Sequence, residues 1–443
     1  MNRNTILGTI AVGLLLTLAG IVSQQEANSR NYSSNVTKLL PSGNLGNPIQ
    51  SQITVPKFIA NSAKTNTNMS QLVAANNRFG FNLWQQLQAQ QASQPRNLLI
   101  SPNSIAIALS MIRNGTSGNT QAEINTVLGL NQLTTVNVDR SYRKLIKTLN
   151  TADADAQLAI ANSLWVNQNI VLKEPFINSA QDFYQAEVSN LDFADSSVKQ
   201  RINQWVASKT ANQIPEIVDS VSPEDALYLI NAVYFKGSWT KKFDTDKTSE
   251  QPFYRSTDSS KPVTTMSQRG DYRYLTNEQF QAIRLPYGKN AELGMYIFLP
   301  QENNSLEQLN QELNLDNWQE WLSQMRSQPG KITLPKFKLE YDTELKTILS
   351  SLGMSQVFDA TQADFAAMTD STVAIDTVKH KTAIEVNEEG TEAAAVTSIG
   401  VRITSALPEN KSFKMKVNRP FFFAIRDDIT ETILFMGNVS DPE

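Results

Sequence analysis

The sequence predicts an α+β protein. Four segments with helical spacing come first, and many apolar, β-rich runs follow without the strand–helix alternation of a parallel sheet. No internal repeat divides the 443 residues. Asn231 among the apolar neighbours of "DALYLINAVYF" points to a central sheet covered on both faces.

The elements follow in order. Arg3 precedes an uncharged apolar stretch, Thr5 to Val22. That is the n-region and h-region of an export signal, with Thr17 and Ala19 as small residues for cleavage. Residues 1–22 are therefore read as a signal peptide. The alternative is an uncleaved N-terminal membrane anchor, since the stretch is near the lower limit of a membrane span. Both readings make the protein extracytoplasmic, secreted or tethered to a membrane. Residues 23–69 are rich in Asn, Ser, Gln and Thr, with Pro41, Pro48 and Pro56, and read as a low-complexity disordered spacer. The folded domain is expected over 70–443.

Ser70 would cap a first helix carrying Leu72, Phe79, Leu83 and Leu87 at helical spacing. "SPNSIAIALSMIRNG" is a second, apolar on most sides and so buried. "TQAEINTVLGL" is a third, with Thr120 and Glu123 in capping-box positions. "VDRSYRKLIKTLN" is a fourth. Strands are expected in "QLAIANSLWV", "DALYLINAVYFKGSW", "AIRLPYG", "LGMYIFLP", "KITLPKFKLEY", "VAIDTVKHKTAIEV", "FKMKVNRPFFFAIRD" and "TILFMGNV". Helices in "VKQRINQWVASKT" and "DTELKTILSSLG" lie among them.

Bulk chemistry excludes several functions. Net charge is −4, with 39 basic and 43 acidic residues, which gives no footprint for nucleic acid. There are no cysteines, hence no disulfide, thiolate nucleophile or cysteine metal site. The chain has one histidine, His380, inside a strand pattern, so a metal site of several histidines is excluded. No G-x-S-x-G elbow accompanies His380, and S-x-x-K at Ser141, Ser196 and Ser238 lacks its companion motifs. There is no phosphate-binding glycine loop. The sequence does not read as an enzyme, and no cofactor is expected. His380 reads as a core histidine satisfied by hydrogen bonds, or as part of a buried polar network.

Arg140, Arg143, Lys144 and Lys147 share one face of the fourth helix, opposite Tyr142, Leu145, Ile146 and Leu149. A solvated face is the plainer reading, and a polyanion site the sharper one. "NEEGTEAAAV" (387–396) raises another question. Gly390 permits unusual backbone angles. Beyond it Thr391, Ala393, Ala395 and Thr397 alternate with Glu392, Ala394 and Val396. As a strand, one side of this segment is small throughout. By composition alone it would be a loop or a frayed helix.

These motifs together resemble those of the serpins, the serine-protease-inhibitor superfamily. "NLLISPNSIAIAL", "GTSGNTQAEI", "LINAVYFKGSW", "MYIFLP", "LPKFKLE", "HKTAIEVNEEGTEAAA" and "NRPFFFAIRD…ILFMGNVSDP" stand in that family's order and spacing, from Ser70 to the end. The resemblance implies three β-sheets, about eight or nine helices and an exposed reactive-centre loop, in a monomer. It implies inhibition of serine, and in some members cysteine, proteases by a cut loop that enters the central sheet. Members that act only as binding or chaperone-like proteins form the alternative.

By the same resemblance Glu388, Gly390, Thr391, Glu392, Ala393, Ala394 and Ala395 form the hinge. Ser101, Ser104, Asn231 and His380 form the shutter beneath the sheet, and Trp239 marks the breach where insertion begins. The specificity residue in the family lies about 14 positions past the hinge glycine, which gives Thr404–Ser405 as the reactive bond. Arg402 is the rival, and cleavage near Leu407 stays open. Ile403 and Thr404 suit an elastase-like or subtilisin-like protease better than a trypsin-like one.

Overall fold

A computed structural model describes residues 57–90, 97–151, 155–256, 259–391 and 412–442. The signal or anchor at 1–22, the spacer as far as Pro56, Glu392 to Ala395 and the bond at Thr404–Ser405, with Arg402, lie outside the described residues.

The first helix, α1, runs Lys57–Gln90. It starts thirteen residues before Ser70, so Ser70 is interior to the helix and does not cap it, and residues 57–69 of the expected spacer are helical. No proline or glycine interrupts the chain between Pro56 and Gly80, so a helix nucleated on the apolar segment can propagate backwards. Next come β1 (Leu98–Ile100), α2 (Pro102–Arg113), α3 (Gly118–Leu128) and α4 (Thr135–Leu149). The expected capping box in α3 is absent. Its cap is Ser117, and the two residues instead reach a distant segment. The Thr120 hydroxyl accepts from the Asp364 amide at 3.0 Å. The Glu123 carboxylate accepts from the amides of Ser355 and Gln356 at 2.8 and 2.9 Å.

The remaining elements are β2 (Ala156–Asn167), α5 (Glu174–Tyr184), β3 (Glu187–Leu191), α6 (Val198–Lys209), β4 (Leu227–Ser238), β5 (Ser249–Ser256), β6 (Ser259–Thr276), β7 (Phe280–Tyr287) and β8 (Leu293–Pro300). Then follow α7 (Leu306–Glu312), α8 (Leu315–Gln324), β9 (Arg326–Pro335), β10 (Phe337–Glu344), α9 (Lys346–Ser351), β11 (Thr377–Val386), β12 (Gly390–Thr391), β13 (Phe413–Lys416), β14 (Phe421–Asp427) and β15 (Ile433–Val439).

Two expected strands divide. "KITLPKFKLEY" breaks at Lys336, where the chain leaves one sheet for the other. "FKMKVNRPFFFAIRD" breaks between Lys416 and Phe421, because Pro420 cannot donate to a ladder. The helix expected from Asp342 begins only at Lys346, since Asp342–Glu344 pair with β11.

Hydrogen bonding joins the strands into two sheets. The smaller has the order β10-β11-β12-β4-β2-β3, with β11 also paired directly to β4. The larger has the order β1-β15-β14-β8-β7-β6-β9-β13, with β5 on β6. Its long strand β6 pairs with β5 and β9 along most of its length and with β7 at its end. The described strands thus form two hydrogen-bonded sheets where the resemblance implied three, because β6 is long enough to pair with β5 and β9 over one part and with β7 at its end.

Both faces of the smaller sheet are covered. Tyr228, Ile230 and Ala232 of β4 pack with Ile202 and Val206 of α6, whereas Val233 and Phe235 pack with Ile283, Leu285 and Phe423 of the larger sheet. Nearly every side chain of β4 is therefore buried, and any polar group there needs an internal partner.

Candidate functional site

Two linked constellations lie in the smaller sheet, one midway along β4 and β11, the other at their ends. The first is polar. β4 and β11 are parallel, with Asn231 opposite His380, and Asn162 of β2 lies opposite Asn231 on the other side. The His380 ring accepts at Nε2 from the Ser101 amide, 3.1 Å away, so that nitrogen carries no proton. Nδ1–H then donates to Asn231 Oδ1 at 2.6 Å. The Asn231 amide in turn donates to Ser104 Oγ and to Asn162 Oδ1. Burial alone pushes the His380 pKa down to about 3, so the ring is neutral at ordinary pH.

Ser101, Ser104, Asn231 and His380 are thus brought together, with one amendment and one addition. Ser101 contributes its backbone N–H. Asn162, which pattern reading passed over, completes the cluster. Its only sequence signal is an asparagine in an apolar run.

The second constellation is the turn "NEEG". β11 ends at Val386, and the chain reverses through Glu388 and Glu389. The Asn387 amide donates to the Gly390 carbonyl at 2.8 Å, and the Gly390 amide to the Asn387 carbonyl at 3.3 Å. The returning strand, β12, enters between β11 and β4. Thr391 pairs with Val386 on one side and Gly237 on the other. Gly390 has φ +150°, and a Cβ there would lie 2.0 Å from the Gly237 carbonyl oxygen. Only glycine fits.

The reversal is held from several directions. Trp239 Nε1 donates to the Asn387 carbonyl, and its amide to the Glu389 carbonyl, both at 2.9 Å. The Trp239 ring stacks on Tyr287 at 4.3 Å, and Tyr287 Oη lies 2.7 Å from Thr391 Oγ1. The Glu388 carboxylate accepts from Thr248 Oγ1 at 2.8 Å and pairs with Lys336 Nζ at 3.0 Å. Burial works against its ionisation, but its backbone contact, Thr248 and Lys336 outweigh that and hold the carboxyl below its usual range. Glu389 pairs with Lys242.

Thr391 is fully buried on the face shared by Asn231, Val233 and Phe235. Below Thr391 the sheet is closed, because β4 and β11 pair with each other from 228 to 234 and 377 to 383. Among the described residues β12 thus enters this end of the sheet by two residues, and below it β4 and β11 pair directly.

On α4 the cationic stripe, read as a solvated face with a polyanion site as the sharper alternative, is oriented outward, opposite buried Tyr142, Leu145 and Leu149. Arg143 is already engaged there. Its Nε donates to the Asp182 carbonyl at 3.0 Å and its guanidinium lies over the Phe183 ring. Arg140, Lys144 and Lys147 follow along that face. Among the described residues no group of three or more His, Cys, Asp or Glu side chains could hold a metal ion. No helix among them is long and apolar enough to cross a membrane.

Comparison with known proteins gives the same architecture. The family pattern described as Serpin (serine protease inhibitor) matches residues 74–442. Serpin B6 of Macaca fascicularis is 36% identical over 386 residues, covering 84% of this chain and all of that protein. The thermophilic serpin Tengpin, in its native state, aligns with a TM-score of 0.76 at 30% identity, over 91% of this chain and 100% of its own. Human thyroxine-binding globulin aligns with a TM-score of 0.78 at 25% identity, over 85% of this chain and 99% of its own. A closed parallel pair β4–β11, a polar cluster across it and a strand started at its end thus occur in a chain whose relatives are serpins over their whole length, and the chain belongs to the serpin family.

Proposed function

We propose that this chain is an exported suicide-substrate inhibitor of serine proteases. A protease takes the loop between β12 and β13 as substrate. Its serine oxygen attacks the Thr404 carbonyl, the bond to Ser405 breaks, and the Ser405 amine leaves with the proton. The acyl ester remains on Thr404. The freed hinge then extends β12 between β4 and β11, carrying the acylated protease away before water can cleave the ester.

One observation carries this reading. Thr391 already occupies the first position of such a strand, and the residues that would follow it, 392 to 395, are small apart from Glu392. Each added ladder bond contributes about 1 kcal/mol net, so a full strand offers roughly 10 kcal/mol to distort the protease. Thr391, Ala393 and Ala395 would face the interior, where charge is costly.

The test is incubation of the full chain with an elastase-like or subtilisin-like protease. A covalent complex that survives SDS is expected, with the cut after Thr404. Thr391→Arg, which would bury an unpaired cation beside Tyr287, should convert the inhibitor into a substrate. Similarity to thyroxine-binding globulin favours a second reading, a binding protein that does not inhibit. Cleaved chain without complex, across several proteases, would establish that reading instead.

A further inference from the structure

Strand registers bring three cations into one row. Arg269 of β6 lies opposite Lys331 of β9, and Lys331 lies opposite Lys414 of β13. Residues in register share a face, and alternation adds Arg273 and Lys416 to it. The opposite face is the packed one, where Gly330, Ile332, Phe413 and Met415 meet Tyr272 and Tyr274. Arg269, Arg273, Lys414 and Lys416 are exposed and Lys331 half-buried.

Acids do not answer this charge. Asp271 is the one acid on the same face of β6, and Glu302 stands across a hollow of about 340 Å³ that Lys414 and Lys416 line. Among the described residues neither pairs with the row, and Arg269, Lys331, Lys414 and Lys416 form no ion pair. Lys241 adds a further ammonium, which donates to the Arg269 carbonyl. The segment 392–411 brings Glu392 and Glu409 with Arg402 and Lys411, and so no net charge.

Like charges directly opposed across strands destabilise a sheet. Lysines on an edge strand such as β13 have an ordinary use, since they block edge-to-edge pairing. That use does not extend to Arg269 and Lys331, which lie on interior strands. Arg273 donates to the Leu322 carbonyl at 3.0 Å, but among the described residues the face has no acidic partner, and in a chain of net charge −4 such a concentration of cations is explained by an anionic partner from outside.

We infer that this face is a docking surface for an acidic patch on the target protease. The inference rests on the inhibitory reading above. Position selects a protease over a free polyanion. β13 begins at Phe413, just past 392–411, so nine residue-to-residue steps lead from Thr404 to it. Fully extended these span about 30 Å, within the reach of a protease seated on the loop. Charges so placed raise the encounter rate and select among proteases that share a pocket preference.

The experiment uses the full chain and subtilisin, native or with its lysines succinylated, both forms checked on a neutral peptide substrate. At low salt the wild type should capture the succinylated form about tenfold faster, and high salt should abolish the difference. Lys331→Glu with Lys414→Glu should reverse the order. Lys331→Gln with Lys414→Gln, a milder pair that guards against misfolding, should remove the difference without reversing it. Equal capture of the two forms by wild type, or an order unmoved by either pair, overturns the inference. So does loss of heparin binding in the variants while protease rates ignore charge, because the face would then read a polyanion. If no SDS-stable complex forms with either subtilisin or with several other proteases that cut the chain, the inhibitory reading itself fails, a result distinct from equal capture.

Discussion

A neutral imidazole closes the middle of the smaller sheet, and its neutrality has a measurable consequence. His380 would titrate near 6.5 in the unfolded chain but is pushed down to about 3 in the fold. Between those values the unfolded state binds the extra proton, so stability is full above about pH 6.5 and falls as pH drops. The loss is at most about 1.4 kcal/mol per pH unit, or about 2 kcal/mol between pH 7 and pH 5. His380 is the only histidine, so that part of the acid limb belongs to it. Urea midpoints should fall from pH 7 to pH 5 in the wild type, and His380→Gln should flatten the slope at some cost in stability at pH 7. At this scale the sequence was most informative. A lone histidine with no catalytic companions, and the family's serine and asparagine positions, brought three of the four side-chain partners to notice. Asn162 escaped because its role is created by register: it matters only once β2 lies beside β4 with Asn231 opposite. Ser101 acts through its backbone, which residue identity does not encode.

Elements were legible where apolar runs were long. β4, β8, β11 and β15 stand where their composition put them. β5 and β6 did not announce themselves, because much of their length is exposed and their sequences are correspondingly polar. The break at Lys336 was equally hidden, since one apolar run can serve two sheets in turn, whereas the break before Phe421 separates two strands of the same sheet and only Pro420 marks it. β13 shows how a short strand is secured. Its Phe413 ring stacks on Tyr274 at 3.8 Å, and a Cβ at Gly330 would lie 2.3 Å from that ring. Only four residue pairs hold the strand to β9, so this aromatic contact is a large part of its anchorage. Phe413→Ala should cost about 3 kcal/mol and speed exchange of the Phe413–Lys416 amides. Exchange unchanged from wild type, followed by mass spectrometry, would show that the ladder suffices without the ring.

At the scale of the molecule the inhibitory reading turns on whether the smaller sheet can admit more of β12 than Gly390 and Thr391. Cutting the loop should let β12 lengthen, and a gain of roughly 10 kcal/mol should raise the thermal midpoint by about 10–20 °C. A midpoint unmoved by cleavage would mean that no strand was added. What the added strand would bring is fixed by where Thr391 already sits, opposite Gly237 and Val386. Six steps down β4 from Gly237 is Asn231, and six steps down β11 from Val386 is His380, themselves paired. Six steps on from Thr391 is Thr397, so a strand continued without a slip delivers a hydroxyl between the imidazole and the amide it separates. The polar cluster then works as a docking gauge, with a gap one hydroxyl wide at one rung. Thr397→Val should leave cleavage unaffected but shrink the thermal gain, because a methyl group cannot answer either partner.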